Sequence, residues 1–218
     1  MTDAAAALAA TRDALIEATL AQVPFDGWTE RALRAGARRA GIDWTTARRA
    51  FPGGIAEVLR SWSAAGDREM VARLAEEDLD ALRFHERIAL AVRLRLEHDA
   101  GDRAALRLAL SHGLLPSETP GAVAALYRTV DAIWRALGDA STDFSFYTKR
   151  ATLAGVYAAT LLYWLDDRSE GHAETWAFLD RRLAGVMALP GRLNRLRGLF
   201  PDPARWRDAL RARRPARG

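Results

Sequence analysis

The stretch ARRAGIDWTTARRAFPGGIAEVL, residues 37–59, decides the fold. A helical pattern that starts near Thr29 ends at Ala40 and Gly41. A second, from Thr45 to Ala50, stops against Phe51, Pro52, Gly53 and Gly54, because glycine and proline punctuate helices. Upstream, Ala4 to Ala21 carries Leu8, Leu15, Ile16 and Leu20 as a narrow apolar stripe, ended by Pro24, Asp26 and Gly27. Three helices in about fifty residues, joined by tight turns, describe a helix-turn-helix unit.

The periodicity continues outward. Apolar residues recur at helical spacing over Ile55 to Ala65, Asp67 to Leu82, Phe84 to His98, Asp102 to His112, Gly121 to Leu137, Phe144 to Leu165 and Gly171 to Met187, and no segment alternates like a strand. The fold class is therefore all-α: an N-terminal helix-turn-helix unit (1–54), a helical bundle (55–188) and a C-terminal tail (189–218). The last three helices of the bundle hold more bulky hydrophobes than one buried face needs, so they are either deeply central or line a cavity.

Composition limits the chemistry. The chain has 218 residues, 50% of them hydrophobic and 28% charged, with no cysteine. That composition describes a globular chain with a sizeable core and excludes disulfide scaffolds, thiol nucleophiles and iron–sulfur clusters. No run is long and apolar enough for a membrane span, and no basic segment precedes the short apolar N-terminus as a secretory signal requires. A cytoplasmic location, peripheral to a membrane, is expected. The net charge of +4 is unevenly placed: residues 191–218 carry nine arginines against two aspartates, so the tail is basic and the body mildly acidic. A basic tail of this kind suits an anionic lipid surface or nucleic acid.

Catalytic patterns are missing. There is no Gly-x-Ser-x-Gly turn and no phosphate-binding loop, and none of His85, His98, His112 and His172 has a glutamate three residues before it, the pairing that a di-iron bundle uses. No catalytic residue, metal or cofactor is expected. Between Trp28 and Ala50, six arginines face Glu30 and Asp43, and Arg48 and Arg49 sit where a recognition helix meets DNA. A DNA-binding regulator is thus the alternative reading.

Residues 16–59 resemble the N-terminal domain of TetR-type regulators, with Ala47 and Gly54 standing where that pattern expects Tyr and Lys. Residues 132–187, with the block GDASTDFSFYTKR at 138–150, closely resemble the Coq-nine family of ubiquinone-biosynthesis accessory proteins. The similarity reaches back through VPFDGWTERALRAGARRAG and FPGGIAEVL, over most of residues 14–188.

This resemblance implies a TetR-like, usually dimeric protein with no catalysis of its own. It would bind an isoprenoid lipid or quinone intermediate and present it to the demethoxyubiquinone hydroxylase. A nucleic-acid partner is not expected on this reading. Lipid-lining candidates are Leu126, Ile133, Trp134, Leu153, Val156, Tyr157, Leu161, Trp164, Trp176 and Leu179. A surface patch of Asp143, Phe146, Tyr147 and Arg150 would dock the hydroxylase. In the tail, Leu193, Leu196 and Phe200 would enter an anionic membrane interface, with Arg192 and Arg195 meeting headgroups.

Overall fold

The computed structural model describes residues 2–115, 117–139 and 144–197, with side chains over 4–115, 117–139 and 147–186. Among these residues all regular structure is helical. The helices are α1 (Thr2–Leu20), α2 (Val23–Asp26), α3 (Glu30–Arg39), α4 (Trp44–Ala50), α5 (Gly54–Ala75), α6 (Phe84–His98), α7 (Arg103–Gly113), α8 (Thr119–Ala136), α9 (Phe144–Asp166) and α10 (Ala173–Arg197). Phe200 lies outside the described residues. Leu193, Leu196, Arg192 and Arg195 fall on the last turns of α10, beyond the described side chains.

Local chemistry sets the N-terminal unit. The Thr29 hydroxyl accepts from the Ala32 N–H at 3.3 Å and the Asp43 carboxylate accepts from the Thr46 N–H at 3.0 Å, so both helices of the turn are capped. Between them Gly41 takes a φ of +68°, which a side chain would resist. Arg12 of α1 binds the Ala50 carbonyl at 2.6 Å and Glu57 and Ser61 at 2.9 Å while lying over the Phe51 ring. One guanidinium thereby joins α1 to the end of α4 and the start of α5.

α5 is central. It packs on α6 and α8, and α8, α9 and α10 follow in sequence around α6. The expected break at Gly66 does not occur, because α5 is one helix in place of the two predicted over 55–65 and 67–82. Glycine is present there for space: a Cβ on Gly66 would lie 2.7 Å from Cζ of Arg95 on α6. The N-terminal unit is tied to the bundle by Trp28, whose indole N–H donates to the Ala105 carbonyl of α7 at 2.9 Å and whose ring stacks on Trp62 of α5.

The corner between α9 and α10 is held by Asp167. Its carboxylate accepts from the backbone N–H and hydroxyl of both Ser169 and Thr175, and Arg103 and Arg107 donate to the carbonyls of Trp164 and Leu165 at the end of α9 and of Asp167 just past it. Burial alone would raise the Asp167 carboxyl. The hydrogen bonds from Thr175 and Ser169 outweigh it and hold the group well below the usual carboxylate range. Bonds from Arg83 likewise hold Glu86, at the start of α6, down at about 2.

Both folded pKa values lie below the unfolded ones, so this stabilisation is complete above the unfolded carboxylate range of about 4, starts to fall there and is lost as pH drops on through the lower folded values. Asp167→Asn is therefore expected to flatten, without abolishing, the fall in melting temperature between about pH 5 and about pH 3. Thermal unfolding across that range checks it, and an unchanged slope would contradict the assignment.

Candidate functional site

The outer face of α8 bears an apolar groove. Thr119, Val123, Tyr127 and Asp131 recur every fourth residue, flanked by Pro120, Ala124 and Arg128, and together they line an open depression of about 980 Å³. Pro120 fits here because the first turn of a helix has no use for its missing N–H. Val123 is 59% exposed and Tyr127 41%, whereas Val130 and Ile133, further along the same helix, are buried. The apolar face of α8 is thus covered by the bundle at Val130 and Ile133 and left open at Val123 and Tyr127.

The far end of the groove is fixed by charge. Arg128 donates to the buried Asp67 carboxylate and to the Ser63 hydroxyl, both at 2.9 Å. Asp131 pairs with Arg135 and Arg150 at 2.8 Å. The rim is therefore preorganised, while Pro120, Val123, Ala124 and Tyr127 supply the apolar floor.

The predicted lipid-lining residues take a different place. Ile133, Trp134, Leu153, Val156, Tyr157, Leu161, Trp164 and Leu179 are buried in the core, and Leu126 and Trp176 pack half-buried against it. Burial pushes the Tyr157 hydroxyl up to about 12. Arg103 lies over the Trp164 ring, and the Trp176 indole donates to the Gly171 carbonyl at 2.8 Å. None of the ten lines the α8 groove. A stripe of large side chains is the same signal for a filled interior and for a hollow one, and these side chains pack into the interior.

The predicted docking patch also divides. Tyr147 is exposed on the first turns of α9. Asp143 lies outside the described residues, and Phe146 is described only as helix backbone. Arg150 is not a surface residue: it is buried, donating to Asp131 at 2.8 Å and to Asp139 at 3.1 Å, with Lys149 on Asp139 at 2.9 Å. Its role in this structure is to fasten α9 to α8 and to the turn between them. Among the described residues no group of three or more His, Asp or Glu is placed to hold a metal ion, and no helix is long and apolar enough to cross a membrane.

Sequence reasoning alone does not mark Val123 and Tyr127 as site residues. Apolar residues at 123, 126, 127, 130 and 133 fall on a single helix face. Periodicity does not say how far along that face a neighbour will cover it.

The groove coincides with a family match. Residues 119–190 match the COQ9 family. This segment resembles a COQ9 domain. It opens at Thr119, the first residue of α8, and takes in the whole groove together with α9 and most of α10.

Similarity to COQ9 proteins extends well beyond the domain. The chain is 32% identical over 197 residues to the ubiquinone biosynthesis protein COQ9 of Drosophila melanogaster, covering 87% of this chain and 59% of that protein. To the COQ9 of Homo sapiens it is 31% identical over 188 residues, covering 79% and 56%. Both relatives carry the description mitochondrial, and the chain spans less than two thirds of their length. The TetR-like fold is independently supported by a TetR transcriptional regulator from Nitrosomonas europaea, which superposes with a TM-score of 0.65 at 24% identity over 80% of this chain and 96% of that one.

Proposed function

We propose that this chain serves ubiquinone biosynthesis as a lipid-holding accessory protein without catalysis of its own, and that the α8 groove seats the isoprenoid guest. The observation that carries this reading is the position of an uncovered apolar groove on the first helix of the COQ9 domain. A polyprenylated ring leaves a bilayer only for a surface of similar polarity, since each CH₂ exposed to water costs about 0.8 kcal/mol. Pro120, Val123, Ala124 and Tyr127 offer such a surface. The basic tail would bring the groove to an anionic membrane at the inner membrane surface, and the Tyr147 end of α9 would meet the demethoxyubiquinone hydroxylase. The protein would work as a homodimer.

Organic extraction of the purified protein followed by mass spectrometry tests the reading. Isoprenoid quinone is expected in the extract. It should fall about tenfold or more in Val123→Asp, because a carboxylate on the groove floor is not desolvated cheaply. Val123 is exposed, so the variant should melt within a few degrees of the wild type. An extract with no isoprenoid lipid, or one that Val123→Asp leaves unchanged, would overturn the proposal. If the groove is instead covered by a second copy, Val123→Asp would convert a dimer to a monomer in light scattering with no change in lipid.

A further inference from the structure

The corner between α7 and α8 projects two leucines: Leu114 is 82% exposed and Leu115 50%. The helices meet closely here, since a Cβ on Gly113 would lie 2.9 Å from that of Ala122. The Thr119 hydroxyl, at the first residue of the groove, shares its proton between the Gly113 and Leu115 carbonyls at 3.1 and 3.0 Å. The turn is therefore pinned, and the leucines stand beside the Thr119 end of the groove.

The turn satisfies its backbone from within. The Leu114 N–H donates to the Ser111 carbonyl at 3.3 Å and the Leu115 N–H to that of His112 at 3.0 Å, while the Leu115 carbonyl accepts from the Glu118 and Thr119 N–H groups at 2.9 and 3.0 Å. Charge is sparse as well. In residues 108–127 Glu118 is the only Asp, Glu, Lys or Arg, although 28% of the chain is charged, and it lies 3.6 Å from the His112 imidazole. Apolar side chains turned outward over a paired backbone suit hydrocarbon, where an unpaired polar group costs most. Leu114 projects and lines no recess, so its partner must flow around it. We propose that Leu114 and Leu115 insert into the acyl region of a bilayer, as a membrane contact separate from the basic tail. An inserted tip sets the Thr119 end of the groove at the bilayer surface, and an isoprenoid chain can pass onto Val123 and Tyr127 with little exposure to water. That last step rests on the α8 groove being the lipid seat; the insertion does not.

The chain has no cysteine, so Leu114→Cys takes a single nitrobenzoxadiazole label on the otherwise unchanged protein. With phosphatidylcholine vesicles holding a minor fraction of phosphatidylglycerol, the label should shift to the blue and brighten severalfold, and lipids spin-labelled on the acyl chain should quench it. The same label at Glu77→Cys, exposed just past α5, should stay in water. The double variant L114S/L115S should bind these vesicles more weakly by about tenfold or more, since two leucines no longer reach hydrocarbon. The loss should be as large at high salt, where attraction of the basic tail to the surface is screened.

A label at Leu114 that stays aqueous on bound vesicles, or equal vesicle binding by L114S/L115S, would overturn the insertion. A label that turns apolar as protein concentration rises, with no vesicles present, would overturn it too and identify a second copy as the cover. Both leucines are exposed, so the double variant should melt with the wild type. An inserted label together with an extract free of isoprenoid lipid would support the tip and sink the groove reading.

Discussion

Arg95→Met should destabilise the protein by about 3–5 kcal/mol, the cost of removing one member of a buried ion network. Arg95 is 4% exposed and donates to Asp67 at 3.0 Å and to Asp99 at 2.5 Å, with a longer bond to the Ser63 carbonyl. Burial works against its charge, but Tyr157 and the Asp99 and Asp67 carboxylates outweigh burial and hold the guanidinium more firmly protonated than usual. Asp67 keeps Arg128 and Thr129 when Arg95 is lost, whereas Asp99 is left as a buried carboxylate without its cation. Urea denaturation checks the size of the loss. The double variant Arg95→Met with Asp99→Asn should recover part of it, and a loss below about 1 kcal/mol would mean that water reaches the network.

Gly36→Ala is the second large effect, at about 2–3 kcal/mol. An added Cβ would lie 2.7 Å from the Thr19 hydroxyl oxygen, 2.8 Å from its backbone nitrogen and 2.9 Å from its Cα. Backbone does not rotate aside, so α1 must move off α3 and loosen the helix-turn-helix unit. This clash exceeds the gain of about 1 kcal/mol that alanine brings to a helix interior. Gly155→Ala supplies the contrast, because nothing lies within 4 Å of the new methyl on the exposed side of α9. It should raise stability by about 0.5–1 kcal/mol. Calorimetric melting of the two variants side by side reads both signs, and two losses of similar size would refute the packing argument.

Local backbone chemistry is legible in the amino-acid sequence, and contacts made across the fold are not. The turn at Gly41 and the stop at Phe51 to Gly54 are local, so the helix-turn-helix unit is visible in the sequence, as is the run of long helices behind it. Gly66 misleads for the same reason: a glycine in a helical pattern marks a local break, and the side chain that needs its space comes 29 residues later. Arg150 lies in a motif that resembles a docking surface, yet its partners Asp131 and Asp139 sit on α8 and the turn after it. No spacing rule relates the three. The groove is hidden from sequence reasoning because burial is decided by the neighbour and not by the helix.

Trp28 couples two events that could otherwise be separate. Swinging the first four helices away from the rest would unstack its ring from Trp62 and break its N–H bond to the Ala105 carbonyl in a single movement, exposing two indoles to water. Both penalties arrive together, which leaves no half-open intermediate of low energy. Trp28 therefore opposes hinging of the N-terminal unit against the bundle.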